Sequence, residues 1–150
     1  MATKVAMGIN FALGAALTGI SLYILEKSRK CTDSTFQRVA EGILIMSVAL
    51  LVAAICYIIC HVTCDCKESE SAVARTMFAI YFISIGIILI VLGAVLHSKS
   101  KGQCEGARNG AVATWSLGTM VLLTSVGFFF FEIRGLSAKT AKKPESLRFW

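Results

Sequence analysis

Four long apolar runs dominate the pattern of hydrophobic and polar positions along the chain. They cover about residues 5–25, 39–60, 77–96 and 110–131, and none contains Lys, Arg or Asp. A helix of about 20 residues is long enough to cross the hydrocarbon layer of a bilayer. Lipid offers no partner to unpaired backbone groups, so each run is assigned as a helix. The pattern predicts an all-α membrane protein with four transmembrane helices.

The connections between the runs are short, and this predicts how the helices are arranged. A short connection places each helix antiparallel to its neighbour in sequence, which gives an up-down-up-down bundle. Connections of about 13, 16 and 13 residues leave no room for a separate soluble domain. We therefore predict one four-helix domain over residues 1–150, with a basic tail at 132–150.

Small residues recur along the runs at helical spacing and predict which faces meet. Between helices in lipid, attraction comes from close packing, so Gly and Ala mark interfaces. Spacings that sum to seven predict left-handed crossings. The alternative is that small residues are simply common in membrane helices. The predicted packing positions are Gly8, Ala12, Ala15, Gly19, Gly86, Gly93, Ala111 and Gly118.

Basic residues do not decide the orientation, because eight would lie on one side of the membrane and seven on the other. The cysteines favour one orientation. With both termini in the cytosol, Cys31 and Cys104 lie together on the outer side, where a disulfide can form. Cys64 and Cys66 then lie at the cytosolic membrane edge, where S-palmitoylation is common. We therefore predict cytosolic termini, an outer disulfide and lipidation of the other two cysteines.

The segment 60–66 combines three cysteines with a histidine, and metal binding is its alternative interpretation. A closed zinc site usually takes its ligands from two separated pairs, and no second pair lies nearby in the sequence. We therefore predict acylation here and no metal or cofactor. Free thiols and a metal site are the alternatives for this segment.

The tail is basic and ends in two aromatic residues. Basic side chains near an anionic leaflet each contribute about 1 kcal/mol to membrane attachment. The alternative is the ordinary positive charge of a cytosolic flank. The predicted lipid-surface residues are Lys139, Lys142, Lys143, Arg148 and Trp150.

Two families of four-helix membrane proteins resemble parts of the chain. Residues 9–11 and 19–23 resemble the first helix of tetraspanins, and residues 64–69 look like their short inner loop. The large outer loop of tetraspanins, with its Cys-Cys-Gly motif, is missing here. Residues 104–113, together with the short loops, are similar to the MARVEL group. Both resemblances imply a membrane organiser rather than an enzyme.

Charged residues inside a bilayer are costly and usually mark a pump or carrier. The only one within the four runs is Glu41, near the start of the second run. We therefore expect a non-enzymatic membrane organiser or accessory subunit in the plasma membrane or an endomembrane. Its expected partners are lipids and other integral membrane proteins or further copies of itself, with no nucleic acid. The alternatives are a small pore subunit and an enzyme similar to the membrane-embedded glutathione transferases, which residues 36–41 faintly resemble.

Overall fold

The computed structural model describes residues 2–30, 34–63, 68–100 and 105–141, and each of these ranges is helical over almost its whole length. The helices are α1 (Ala2–Ser28), α2 (Ser34–Thr63), α3 (Glu68–Ser100) and α4 (Glu105–Ala141), and no strand occurs in the described ranges. By length and composition, all four could cross a membrane. The prediction of four such helices is confirmed.

The helices extend beyond the apolar runs that predicted them. The third begins nine residues before the run at 77–96, and the fourth continues through the first ten residues of the predicted tail. Hydrophobicity marks only the part suited to lipid, whereas the helix continues wherever good helix formers follow. The stretch 132–141 contains Ala, Leu and Lys, and the only proline of the chain, Pro144, comes after it.

Each helix packs against its neighbours in sequence, and α1 also packs against α4 and closes the ring. Consecutive helices run antiparallel. Along each contact, the residue numbers increase on one helix while those of the facing residues decrease on the other. These facing pairs are Gly14 with Leu51 and Ser21 with Ser47 (α1, α2), Gly42 with Leu92 and Tyr57 with Phe78 (α2, α3), and Gly86 with Leu122 and Gly93 with Trp115 (α3, α4). We call the end at which α1 begins and α4 ends the termini end.

Buried positions repeat every seven residues, with alternating steps of three and four. In α4 the buried residues on this repeat are Ala107, Ala111, Thr114, Gly118, Val121, Ser125 and Phe128, and Gly110 is buried beside them. In α2 it is Phe36, Ala40, Ile43, Ser47, Leu50, Ala54 and Tyr57. This period keeps one stripe of each helix directed at the centre of the bundle.

The small residues of α1 do not lie where the spacing predicted. Gly8, Ala12, Ala15 and Gly19 are all exposed, and a Cβ added at either glycine would meet nothing within 4 Å. The predicted seam of α1 is therefore corrected: these four residues form an outward surface, which we call the outer face of α1.

Another stripe of α1 is directed inward instead. Its members are Met7, Asn10, Gly14, Leu17, Ser21, Ile24 and Ser28. Gly14 is the glycine that meets a neighbour, since a Cβ there would lie 3.4 Å from the Leu51 backbone. Small residues permit close packing but do not decide which face turns inward. Here the inward stripe carries the large apolar side chains that fill the core.

The predicted positions on α3 and α4 lie in the contact between these two helices. A Cβ at Gly86 would stand 3.1 Å from the Leu122 backbone, and one at Gly93 would stand 3.0 Å from the Trp115 nitrogen. Gly118 faces Leu89 from the other side of the contact, and Ala111 is fully buried. The absence of side chains at these glycines lets the two backbones approach closely.

Candidate functional site

Eight of the site residues predicted from the sequence lie outside the described residues. These are the proposed disulfide pair Cys31 and Cys104, the proposed lipidation pair Cys64 and Cys66, and Lys142, Lys143, Arg148 and Trp150. Lys139 lies within α4. The disulfide, the lipidation and the lipid contact therefore remain predictions.

Polar chemistry that the sequence did not predict is found at the termini end of the bundle. Arg75, near the start of α3, places its Nε 3.3 Å from Oε2 of Glu132 on α4. The Arg75 side chain is 26% exposed and that of Glu132 is 12% exposed, so both are largely covered by neighbouring residues. Tyr57 of α2, 5% exposed, packs edge-on against the Phe78 ring at 4.8 Å between centroids. This end thus brings together three helices around one ion pair.

The sequence contained a signal for this ion pair. Arg75 lies two residues before the third apolar run, and Glu132 directly follows the fourth. In an antiparallel hairpin, residues that flank the two runs at the same end come to the same level. Opposite charges at those places are therefore expected to pair. The pair joins α3 to α4 at the level where the apolar runs stop. A partly buried charge needs such a partner, because withdrawal from water is costly for an isolated ion.

A second polar contact lies inside the bundle, between α1 and α2. The hydroxyl oxygens of Ser21 and Ser47 are 3.0 Å apart and both side chains are fully buried. Each hydroxyl also lies within hydrogen-bond distance of its own helix, at the carbonyls of Leu17 and Ile43. Two hydroxyl protons serve three possible bonds, so when one serine donates to the other, only the second can donate to its own helix. This contact fixes the register of α1 against α2.

The remaining buried hydroxyls of the spans serve their own helices. Thr114 donates to the carbonyl of Gly110, and Ser125 donates to that of Val121. Asn10 differs, since it is 2% exposed and its Oδ1 has no hydrogen-bond partner within the part of the chain that the structure describes. Large apolar side chains occupy the interior between these polar groups, among them Leu17, Leu50, Phe82, Leu89 and Val121, each at most 1% exposed.

Across 2–30, 34–63, 68–100 and 105–141, no three His, Cys, Asp or Glu side chains are grouped to hold a metal ion. The two described cysteines, Cys56 and Cys60, are free thiols on the exposed surface of α2. Residues 64–66, which belong to the segment considered for metal binding, lie outside the described ranges.

Comparison with known proteins gives no relative. No protein-family model, no curated protein and no solved structure matches the chain. No match supports membership of the tetraspanins or of the MARVEL group, and what is found is four helices long and apolar enough to cross a membrane.

Proposed function

We propose that the chain is a non-enzymatic tetraspan protein that organises membrane or serves as an accessory subunit of a larger membrane complex. In this proposal the four helices cross the plasma membrane or an endomembrane as a left-handed up-down-up-down bundle, with both termini in the cytosol. The seven-residue period of the buried positions supports the left-handed crossing.

The outward surface of the bundle is the observation that carries this proposal. Only 22% to 39% of the most apolar window of each candidate span is buried within the chain. Exposed residues include Ile45, Val91 and Leu123, which suit lipid tails. The outer face of α1 is different, because it presents small residues at spacings of four, three and four. In lipid, such a surface allows another helix to approach closely.

The interior supports an organiser over a pore or an enzyme. A pore needs a wetted path, whereas the centre holds large apolar side chains whose exposure is near zero. The buried serine and threonine hydroxyls bond to carbonyls of their own helices or to each other. The groups that would activate a nucleophile or hold a thiolate substrate are not gathered in the described interior. The polar groups found there instead fix how the helices pack.

Photo-cross-linking in native membranes tests the proposal. A benzophenone amino acid at Ala12, on the outer face of α1, is compared with one at Val91, which is exposed on α3. We expect a protein adduct of defined mass from position 12, weakened by Gly19→Leu, and lipid adducts alone from position 91. Lipid adducts alone from both positions would contradict a partner at this face.

The two alternatives have direct tests of their own. A pore predicts unitary conductance when the purified protein is reconstituted in a planar bilayer, and we expect none above the protein-free control. A glutathione transferase predicts conjugation of an electrophile to glutathione by the purified protein, and we expect the uncatalysed rate. Steady conductance or enzymatic turnover would replace the proposal.

A further inference from the structure

A cavity of about 390 Å³ lies between α3 and α4 at the end opposite the termini. Its lining residues are Ala94, His97, Ala111, Val112 and Trp115. The two large rings come from different helices, and alanines lie between them. The volume falls in the range of roughly 300–1,000 Å³ that is usual for sites binding one small molecule.

Close packing of the two helices explains why the cavity forms here. Gly93 has no side chain, and a Cβ there would stand 3.0 Å from the Trp115 backbone nitrogen. The α4 backbone therefore lies directly on α3, and the Trp115 side chain, 50% exposed, stands at the surface beside the contact. Ala111 is fully buried, and Ala94 on α3 is exposed. Small side chains next to a large ring leave a hollow open to the outside of the bundle.

One polar side chain lines this cavity. His97 contributes its imidazole, whose Nδ1 is buried with no hydrogen-bond partner among the described residues. A buried nitrogen is closed to a hydroxyl in the cavity, so Nε2 is the nitrogen that such a hydroxyl would reach. The imidazole nitrogen can donate or accept, depending on the tautomer. Among the described residues that line the cavity, none is a lysine, an arginine or a carboxylate. The site therefore suits a neutral, mostly apolar molecule with one hydrogen-bonding group.

The depth of the cavity selects the kind of molecule further. His97 lies three residues before the end of the candidate span Val73–Ser100, and Trp115 lies eight residues after the start of Ala107–Gly135. At 1.5 Å per residue, these positions are about 4.5 Å and about 12 Å from the span ends. The polar group thus lies near the membrane edge, and the apolar part of the cavity lies within the acyl layer.

We propose that this cavity binds a sterol, with the sterol hydroxyl hydrogen-bonded to His97 and the rings lying over Ala94 against Trp115. A sterol places one hydroxyl at the membrane edge and a rigid apolar body below it. A rigid body loses little conformational freedom on binding, unlike a flexible acyl chain. A phospholipid headgroup carries charge, and no described residue that lines the cavity is charged. This proposal rests on the proposed function only in that the helices cross a membrane, and it is independent of the organising role.

Photolabelling with a sterol tests the proposal directly. The full chain is reconstituted in phosphatidylcholine vesicles that contain a cholesterol analogue with a diazirine on its ring system. We expect saturable labelling that maps by mass spectrometry to residues 94–97 and 111–115. Unlabelled cholesterol should compete about fivefold better than its 3-deoxy analogue, the factor that one hydrogen bond of about 1 kcal/mol supplies.

Matched variants separate binding in the cavity from general adsorption to the helices. Ala94→Phe fills the hollow and should abolish the mapped labelling, whereas Val95→Phe, at the next exposed position of α3, should retain it. His97→Phe keeps a ring but should erase the preference for cholesterol over the deoxy analogue. Circular dichroism and gel filtration check that each variant folds. Labels spread over all four helices, equal labelling of Ala94→Phe and Val95→Phe, or equal competition by both sterols on the unmodified chain would overturn the proposal.

Discussion

The contact between α3 and α4 gives the most quantitative prediction, through substitution of Gly86 by leucine. A Cβ at Gly86 would stand 3.1 Å from both the N and Cα atoms of Leu122. Backbone cannot move aside as the end of a side chain can, so the helices must separate. Overpacking of this kind costs about 1–3 kcal/mol, and the further carbons of leucine place Gly86→Leu near the top of that range. At roughly 2–4 °C per kcal/mol for a chain of this size, the melting temperature should fall by about 6–12 °C.

Gly19→Leu is the matched control, because a Cβ at Gly19 would meet nothing within 4 Å. The same change there should alter the free energy of unfolding by about 0.5 kcal/mol or less, as exposed substitutions do. Thermal unfolding of the purified monomer in mild detergent, followed by circular dichroism at 222 nm, measures both variants against the unmodified chain. A loss of stability for Gly19→Leu equal to that for Gly86→Leu would refute the assignment of these two faces.

Three further predictions concern polar contacts and cysteines. Arg75→Gln or Glu132→Gln alone should lower the free energy of unfolding, measured by chemical denaturation, by about 1–3 kcal/mol. The double variant Arg75→Met with Glu132→Leu should recover most of that loss. Additive losses would argue against a coupled pair. A double-mutant cycle of Ser21→Ala and Ser47→Ala should give a coupling of about 0.6 kcal/mol, whereas zero coupling would mean that the hydroxyls do not interact. The predicted disulfide between Cys31 and Cys104 should appear as one linked peptide in non-reducing mass spectrometry. Two alkylatable thiols at these positions would contradict the disulfide and, with it, the main argument for the orientation.

The number of helices was predictable from the sequence, whereas the helix ends were not. Lipid requires a continuous apolar stretch and a fully bonded backbone, so four runs of about 20 residues leave little choice. Helix ends obey other rules, since capping and propensity in polar surroundings decide them. This is why α3 starts at Glu68 and α4 continues to Ala141 without any apolar signal at those ends.

The packing faces could be predicted only in part. In α3 and α4 the predicted glycines Gly86, Gly93 and Gly118 lie in the contact between these helices. In α1 two stripes contain glycine, and the one with Gly14 turns inward because it also carries Leu17 and Ile24. Spacing alone could not distinguish these stripes. The cavity at His97 depends on how closely two particular backbones approach, which no sequence period expresses.

The most direct test of the four-span arrangement is the side of the membrane on which each end and each connection lies. A small epitope is added at the N-terminus, at the C-terminus, within residues 64–67 or within residues 101–104, and each tagged chain is probed with antibody before and after the cells are permeabilised. The account predicts that tags at both termini and at 64–67 bind antibody only after the plasma membrane is permeabilised. The 101–104 tag should bind antibody on intact cells if the protein lies in the plasma membrane. If it lies in an endomembrane, that tag should bind only after the organelle membrane is also permeabilised. Termini found on opposite sides would mean an odd number of spans and would contradict the account.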